Sequence, residues 1–441
     1  MLTRRAFVSL AAGSLAADQA RANWPQFRGP GATGVPAEES GLPESWSTTE
    51  NVAWKASIGG SGWSSPIVWG NRVFFTSARA ASMADVPEGG FYQGAVESPR
   101  PDDEHLWLAH CIDLETGKQL WRTELEKAVP RVGRHRKNTY ASETAVTDGE
   151  HLFAHVGDLG TWCLDLDGEI VWSRAWNPVR TRWGYGTASS PALHDGRLYI
   201  TNDSEDQSYL LALDKATGKE IWRVERDEPT TWSTPFVWDS GPRIEIITMG
   251  RNRLRSYDLD GKGLWELSRL SSLAIPTPFS SGGLLYVTSG YMNSDERPIY
   301  AIKPGASGDI TLPQGVTSNE FIAWSVPHGG PYHPSGLVYQ GHYYTLFDRG
   351  FLTCHDARTG GEVYGKQRVS RDSANFTASP WAYNGKLFCL DEDGTTFVVQ
   401  AGSEFRLLGS NKLEEMCMAT PAIVEGGLLI RTHSTLYKIA A

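Results

Sequence analysis

The chain has 441 residues, among them 46 glycines and 17 tryptophans, and a formal net charge of -10 at pH 7. The acidic balance excludes a protein that binds nucleic acid or anionic lipid through its overall charge, and no apolar run of about 18 residues would span a membrane. The length exceeds what one core usually needs, so many small sheets within one domain, with frequent tight turns and aromatic packing, fit the composition best.

The first 22 residues are predicted to be an export signal. Arg4 and Arg5 form a twin-arginine pair, a modest apolar stretch covers 6–17, and Ala20-Arg21-Ala22 offers a cleavage site. An ordinary secretory signal that contains two arginines is the alternative. No cysteine follows the cleavage site, so no lipid anchor is expected. The predicted domain covers 23–441 and lies in the periplasm or outside the cell.

Eight segments of the remaining chain share one pattern, in which a small hydroxyl residue, most often followed by proline, opens a short apolar strand. A turn at glycine or asparagine leads into a second apolar strand. The openings are Ser65, Ser142, Ser190, Thr234, Thr277, Ser335, Ser379 and Thr420. Most of them are separated by roughly 40 to 50 residues, which is the period of a blade of about four strands. The sequence therefore predicts an all-β, eight-bladed β-propeller.

A second motif lies between consecutive openings: an aspartate, a short turn, a glycine and then an aromatic residue. Aspartate accepts hydrogen bonds from the backbone ahead of it and glycine adopts positive φ, so each copy predicts a hairpin turn before the outer strand. The aromatic side chain is expected to pack against a neighbouring blade. These residues, with two equivalents that lack the turn motif, are Trp54, Trp121, Trp172, Trp222, Trp265, Trp324 and Tyr364.

The two ends of the predicted domain complement each other. Residues 51–55 have the pattern of an outer strand with no blade before it, and 434–439 have that of a third strand with no outer partner. Pairing them would complete the eighth blade and remove the exposed sheet edges of an open array. We expect the N-terminal strand to close the last blade.

The five cysteines need no catalytic or metal-binding role. Cys111, Cys163 and Cys354 occupy equivalent strands of different blades, too far apart to bridge, and are expected to be buried apolar residues. Cys389 and Cys417 belong to adjacent blades, and a disulfide between them is an alternative in an oxidising compartment. Neither Cys-x-x-Cys nor His-Glu-x-x-His occurs, so no metal site is predicted.

Several stretches resemble a known family: 23–30, 50–55, 137–142, 227–235 and 350–356. With the Asp-x-x-Thr-Gly turns, they make the chain similar to secreted PQQ-like (pyrroloquinoline-quinone repeat) propellers, which are related to quinoprotein alcohol dehydrogenases and BamB-type scaffolds. The resemblance implies a fold for the whole domain but no activity. The dehydrogenases carry adjacent cysteines, a calcium site and a catalytic aspartate. The cysteine pair is missing here and the other positions have no match, so no cofactor is expected, and PQQ with calcium is the alternative.

One face of the ring is predicted to bind a ligand or a partner. When the strands of a blade are named A to D outwards from the channel, the B-to-C and D-to-A connections lie on one side, and the long connections, 78–103, 126–139 and 327–333, are all of these kinds. Long loops on a rigid scaffold usually form binding sites, although tolerated insertions are the alternative. The ligand-face candidates are Arg134, His135, Arg136, Lys137, Tyr140, Trp183, Tyr185, Trp232, His328, Tyr332, His333 and Arg349.

These candidates are basic and aromatic, so they would attract a carboxylate, sulfate or phosphate, or a ring that stacks on aromatic faces. Pairing of the arginines with Glu228, Asp206, Asp372 and neighbouring carboxylates is the alternative. We expect a monomeric, exported binding or scaffold protein without catalytic residues, whose partner is an anionic ligand, a glycan or a protein. A periplasmic quinoprotein-like oxidoreductase is the alternative function.

Overall fold

The computed structural model describes residues 23–82, 86–90, 92, 96–370 and 375–441, so the signal predicted over 1–22 and Asp372 lie outside it. Eight antiparallel sheets form a ring around a central channel, which confirms the predicted eight-bladed propeller. Apart from strands, the described residues form two short 3-10 turns, Pro30–Ala32 and Arg182–Gly184. They include no helix long and apolar enough to cross a membrane.

Each of blades 1 to 7 consists of four strands that follow one another along the chain. The strands A to D of blades 1 to 4 are Ile67–Trp69, Arg72–Ala80, His105–Asp113 and Gln119–Ala128; Val146–Thr147, His151–Val156, Gly160–Asp165 and Ile170–Ala175; Ala192–His194, Arg197–Asn202, Ser208–Asp214 and Glu220–Arg226; Phe236–Asp239, Ile244–Met249, Arg253–Tyr257 and Gly263–Ser268. Those of blades 5 to 7 are Phe279–Ser281, Leu284–Thr288, Ile299–Ile302 and Ile322–Val326; Leu337–Tyr339, His342–Phe347, Phe351–Asp356 and Glu362–Arg368; Trp381–Tyr383, Lys386–Leu390, Thr395–Gln400 and Leu407–Lys412. A short extra strand, Gly308–Asp309, pairs in parallel with strand D of blade 4.

Blade 8 combines the two ends of the chain. Ala422–Val424, Gly427–Arg431 and Thr435–Ala440 are its strands A to C, and Val52–Ser57 is its strand D. Val52–Ser57 runs antiparallel to Thr435–Ala440. The predicted closure by the N-terminal strand is therefore confirmed, and the ring has no gap between its last blade and its first.

The predicted turns and their aromatic residues join successive blades. In blade 3 the Asp214 carboxylate accepts a hydrogen bond from the Thr217 N–H at 2.9 Å, and Gly218 has a φ of 66°. Trp172 of blade 2 donates its indole N–H to the Lys215 carbonyl of that turn at 2.8 Å. A Cβ on Gly218 would lie 2.6 Å from the Trp172 ring, so only glycine allows this contact. The same arrangement joins Trp54 to Gly117, Trp121 to Gly168, Trp222 to Gly261 and Trp324 to Gly360.

Two of the predicted blade-docking residues have different partners. Trp265 donates its indole N–H to the Glu245 carboxylate within its own blade at 2.6 Å, because the next blade has a long, irregular connection in place of the turn motif. Tyr364 packs edge-on against Phe405 of blade 7, with 6.1 Å between the ring centroids. Both contacts still bury an aromatic ring at the outer strand of a blade.

All five cysteines are buried free thiols, as expected for the three in equivalent strands. Burial raises the pKa of Cys389 to about 12, and it raises the pKa of Cys417 well above its ordinary value. The alternative disulfide between these two residues is not the arrangement found in the structure.

The segment before the first blade crosses the channel on the side of the A-to-B turns. Trp24 forms two backbone hydrogen bonds with Val68 of blade 1, at 2.8 and 2.9 Å. Further along, the buried Arg28 donates to the Gly336 carbonyl of blade 6 at 2.6 Å, and the Gly34 carbonyl accepts from blade 7. We call residues 23–50 the N-terminal plug, because they close the channel opposite the long loops.

Candidate functional site

A cavity of about 650 Å³ opens on the loop-rich face and lies on the axis of the ring, since residues next to strand A of all eight blades line it. We call it the funnel. Its walls are the D-to-A connections together with parts of the B-to-C loops of blades 1 and 5, which contribute Tyr92 and residues 291–293. Phe27 of the N-terminal plug also lines it, so the funnel is closed at the far end.

A ring of hydroxyl groups, one from each blade, surrounds the lower part of the funnel. Its members are Ser65, Thr144, Ser190, Thr234, Thr277, Ser335, Ser379 and Thr420. Along most of the ring, the backbone N–H of one member donates to the hydroxyl oxygen of the next at 2.9 to 3.1 Å. For these hydroxyls no protein acceptor is recorded among the described residues. Their hydrogens therefore remain available to a ligand.

In blade 2 the ring position is occupied by Thr144 and not by Ser142, the residue that the sequence pattern selects as the opening. Thr144 accepts the hydrogen bond from the Ser65 N–H at 2.9 Å and passes the pattern on to Ser190. Ser142 lies two residues earlier and also lines the funnel, where its hydroxyl bonds Asn138. The repeat position in this blade is followed by Ala145, so the proline that marks most of the others is missing.

Aromatic side chains form the wall above the hydroxyl ring. The indole N–H of Trp63 donates to the Lys137 carbonyl at 2.7 Å, and that of Trp232 donates to the Gly186 carbonyl at 2.8 Å. These bonds tie each ring to a neighbouring blade. Trp183 has a φ of 54°, an uncommon backbone conformation for a bulky residue that is often retained at binding sites. The remaining aromatic side chains of the wall are Tyr92, Tyr185, Tyr291 and Tyr332.

Lys137 is the cationic side chain of the lining, and it is already paired. Its ammonium group donates to the carboxylate of the buried Glu392 and to the Thr377 hydroxyl, the latter at 3.1 Å. The other carboxylate oxygen of Glu392 accepts the Gly90 N–H at 2.8 Å. The pair therefore joins blade 2, blade 7 and the long loop of blade 1, and it leaves the funnel without an unbalanced positive charge.

Two histidines line the funnel with different surroundings. His333 Nδ1 is hydrogen-bonded to Asp348, which also accepts the backbone N–H groups of Tyr332 and His333 at 2.8 and 3.0 Å. Burial raises the pKa of Asp348, but the hydrogen bonds from His333 and the Tyr332 backbone together hold it below its ordinary value. Burial and the charge of Lys137 lower the pKa of His135 to about 4. His135 is therefore neutral at pH 7.

The structure brings together one part of the predicted ligand face. The candidates that line the funnel are His135, Lys137, Trp183, Tyr185, Trp232, Tyr332 and His333, whereas Arg134, Arg136, Tyr140, His328 and Arg349 are not in its lining. Arg134 donates to the Asn138 carbonyl at 2.8 Å, and Arg136 lies 4.5 Å from the Tyr92 ring and pairs with Glu88. Tyr140 is buried, and His328 lines a neighbouring depression.

Several arginines near this face pair with carboxylates, as the alternative interpretation proposed. Arg180 and Asp206 form an ion pair at 3.1 Å. Glu228 accepts the Arg251 backbone N–H at 2.8 Å, but its ion pair is with Arg255. The guanidinium groups therefore hold connections in place, and the funnel is mainly aromatic and hydroxylic.

Residues that the sequence left out complete the site. Phe27 belongs to a segment without any repeat, and Asp348 and Glu392 lie just after B strands. The position of these two carboxylates on B-to-C connections was a usable signal, because such connections lie on the same face as the candidates. The hydroxyl residues of the ring were recognised in the sequence as a repeat, but the sequence did not show that their side chains face the channel.

A PQQ-calcium site would need free carboxylate and amide ligands, and the amides of the lining are those of Asn293 and of Asn138, whose oxygen accepts from the Ser142 hydroxyl. The two neighbouring carboxylates of the funnel, Asp348 and Glu392, are engaged by His333 and Lys137. Within the described ranges, one group of three side chains is close enough together to hold a metal ion: Asp148, Glu150 and His151. It lies at the A-to-B turn of blade 2, on the face opposite the funnel, and Lys215 pairs with both of its carboxylates. The expected absence of a cofactor stays a prediction.

Comparisons with known proteins agree with the repeat architecture. A sequence-family profile described as outer membrane protein assembly factor BamB matches 107–204 and 161–292, together less than half of the chain. Outer membrane protein assembly factor BamB of Yersinia pestis is 21% identical over 324 residues, 66% of this chain and 79% of that protein. Quinohemoprotein alcohol dehydrogenase ADH IIB of Pseudomonas putida is 24% identical over 249 residues, 48% of this chain and 33% of that protein.

Among solved structures, quinohemoprotein alcohol dehydrogenase from Comamonas testosteroni has a TM-score of 0.62 and 12% sequence identity. The alignment covers 98% of this chain and 82% of that one. At this identity the likeness concerns the fold alone.

Proposed function

Because this chain is a PQQ-like eight-bladed propeller whose channel is closed at one end, we propose that it is an exported, non-catalytic binding protein whose funnel takes a glycan. The observation that carries the proposal is the combination of a fixed aromatic wall with a ring of eight hydroxyls beneath it. Sugar rings stack their C–H faces on aromatic side chains and exchange hydrogen bonds with hydroxyls. The volume of about 650 Å³ lies within the range of roughly 300 to 1,000 Å³ usual for small-ligand sites.

The charges of the lining favour a glycan over a polyanion. Lys137 is neutralised by Glu392, and His135 is uncharged at pH 7. Arg134 and Arg136, on which the expectation of an anionic ligand depended, have partners in the surrounding loops. A sulfated or carboxylated ligand would therefore lose its hydration without gaining a free cation.

A protein-binding scaffold is the second candidate function. Its support is the similarity to outer membrane assembly factor BamB over 66% of the chain. Exposed apolar side chains on the outer strands offer a surface of the right character, among them Leu120, Ile170, Ile221 and Leu407. A quinoprotein-like oxidoreductase has less support, because the funnel lacks a matching set of cation ligands.

Calorimetric titration with neutral, sulfated and uronate-containing oligosaccharides tests the glycan proposal. We expect a neutral oligosaccharide to bind the full chain, and Trp232→Ala to abolish the heat because it removes part of the wall. Val171→Ala is the matched control, since Val171 is exposed on the outer strand of blade 2. Absence of heat from every oligosaccharide with the unaltered protein would refute the proposal. Preferential binding of the sulfated series would show that the funnel binds an anionic ligand and not a neutral glycan.

A further inference from the structure

We infer that His333 and His135 determine the polar specificity of the funnel, His333 by accepting a hydrogen bond at Nε2 and His135 by donating one from Nε2–H. The inference rests on the proposed glycan site and adds the residues that recognise hydroxyl groups in it. Both side chains line the funnel, and no protein partner is recorded for either Nε2 atom among the residues that the structure describes.

The hydrogen bonds of Asp348 fix the tautomer of His333. The low pKa of Asp348 keeps its carboxylate ionised, and an ionised carboxylate only accepts hydrogen bonds. It accepts the N–H groups of Tyr332 and His333 at 2.8 and 3.0 Å and is bonded to His333 Nδ1, so Nδ1 must carry the hydrogen. In the neutral ring Nε2 then holds a lone pair and accepts.

The backbone fixes the opposite tautomer in His135. The Lys137 N–H donates to His135 Nδ1 at 3.2 Å, so this nitrogen is unprotonated and the hydrogen of the neutral ring is on Nε2. The lowered pKa of His135, about 4, keeps the ring in this form at pH 7. Edge-on packing against Tyr185, with 4.6 Å between the ring centroids, holds its orientation.

One acceptor and one donor suit a ligand whose groups both donate and accept. A sugar hydroxyl meets both requirements, whereas a sulfate or a carboxylate has no hydrogen to give to His333. An apolar ring would satisfy neither histidine, and unpaired polar groups in a closed site reduce affinity strongly. The pair thus selects neutral, hydroxyl-bearing rings from the larger set of ligands that could stack on the wall.

Nitrogen-15 NMR of histidine-labelled full-length protein tests the tautomers without any ligand. We expect the signals of His333 to show a protonated Nδ1 and those of His135 to show a protonated Nε2. The Asp348→Ala variant removes the acceptor for Nδ1–H, so the preference of His333 for a protonated Nδ1 should be lost. A protonated Nε2 on His333 in the unaltered protein would overturn the inference.

Titration with the neutral oligosaccharide that binds the unaltered protein tests the role in recognition. The amide nitrogen of His333→Asn can replace Nδ1 and keep the bond to Asp348, but nothing replaces Nε2. We expect about tenfold weaker binding, the equivalent of one hydrogen bond. The carbonyl oxygen of His333→Gln lies closer to the Nε2 position and should recover most of the affinity, which also shows that substitution there does not unfold the protein.

His328→Asn is the matched control, because His328 lies on the same face but outside the funnel. Its affinity should equal that of the unaltered protein. If His333→Asn binds normally while Trp232→Ala does not, the inference is wrong and the glycan site stands. If the unaltered protein binds no oligosaccharide, the proposed function fails and the role in recognition fails with it.

Discussion

Replacing Glu143 by glutamine should make the protein more stable above neutral pH and have little effect below about pH 5. Glu143 lies in the connection into blade 2 and is almost completely buried. Its carboxyl oxygen accepts hydrogen bonds from the Thr187 hydroxyl at 2.6 Å and from the Gly157 N–H at 3.1 Å. Burial raises its pKa from 4.5 to about 7, although these hydrogen bonds act in the opposite direction.

The size and the sign of the effect follow from that shift. Between about pH 4.5 and 7 the folded protein holds a proton on Glu143 that the unfolded chain has released, so stability falls as the pH rises through this window. Above pH 7 the full cost applies, about 3 kcal/mol at roughly 1.4 kcal/mol per pKa unit. Glutamine keeps an accepting oxygen and has no charge to bury. With an unfolding entropy of about 2 cal/mol/K per residue, the gain corresponds to about 3 °C in Tm.

Differential scanning calorimetry at pH 5 and pH 8, which measures the Tm of each protein, tests the prediction. We expect Glu143→Gln to have the Tm of the unaltered protein at pH 5 and a Tm about 3 °C higher at pH 8. Buried neutral histidines such as His155 impose their own pH dependence, but they are present in both proteins and cancel. Glu124→Gln, at an exposed position on an outer strand, is the control and should change neither value. An equal effect of Glu143→Gln at both pH values would refute the reasoning.

Three further predictions test other parts of the molecule. Gly218→Ala should destabilise the protein by about 2 to 5 kcal/mol in thermal unfolding, because the new Cβ meets the Trp172 ring and the residue keeps a positive φ, whereas Gly263→Ala, with no atom within 4 Å of its Cβ, should have little effect. All five thiols should resist alkylation in the native protein and all should react after unfolding without reductant; mass spectrometry showing only three adducts would establish the Cys389–Cys417 disulfide instead. Replacing both Arg4 and Arg5 by lysine should block export in cell fractionation, whereas unchanged export would favour the ordinary secretory signal.

The fold could be predicted because its determinants are local. The hydroxyl-proline openings, the Asp-to-Gly turns and the aromatic residues after them each lie within about ten residues, and they recur once per blade. Even there the register failed in blade 2, where Ser142 was selected although Thr144 holds the ring position. Without the proline, the segment offered two hydroxyl residues and nothing to choose between them.

The site was less predictable, because its parts meet across the ring. The sequence placed Trp183, Trp232 and His333 on the face where the funnel opens, since connection type determines the face. It could not tell that Arg134 would turn to a backbone carbonyl, because a long side chain reaches many partners from one position. It also gave no sign of the N-terminal plug, whose Arg28 bonds a residue 308 positions away.

The N-terminal plug and strand D of blade 8 are consecutive parts of the chain, and this order couples assembly of the ring to the existence of the binding site. Val52–Ser57 is synthesised long before Thr435–Ala440, yet the two strands pair in the same blade. A nascent or truncated chain that stops before Thr435–Ala440 therefore lacks a completed ring around the funnel. Ligand binding would then indicate that the ring has closed.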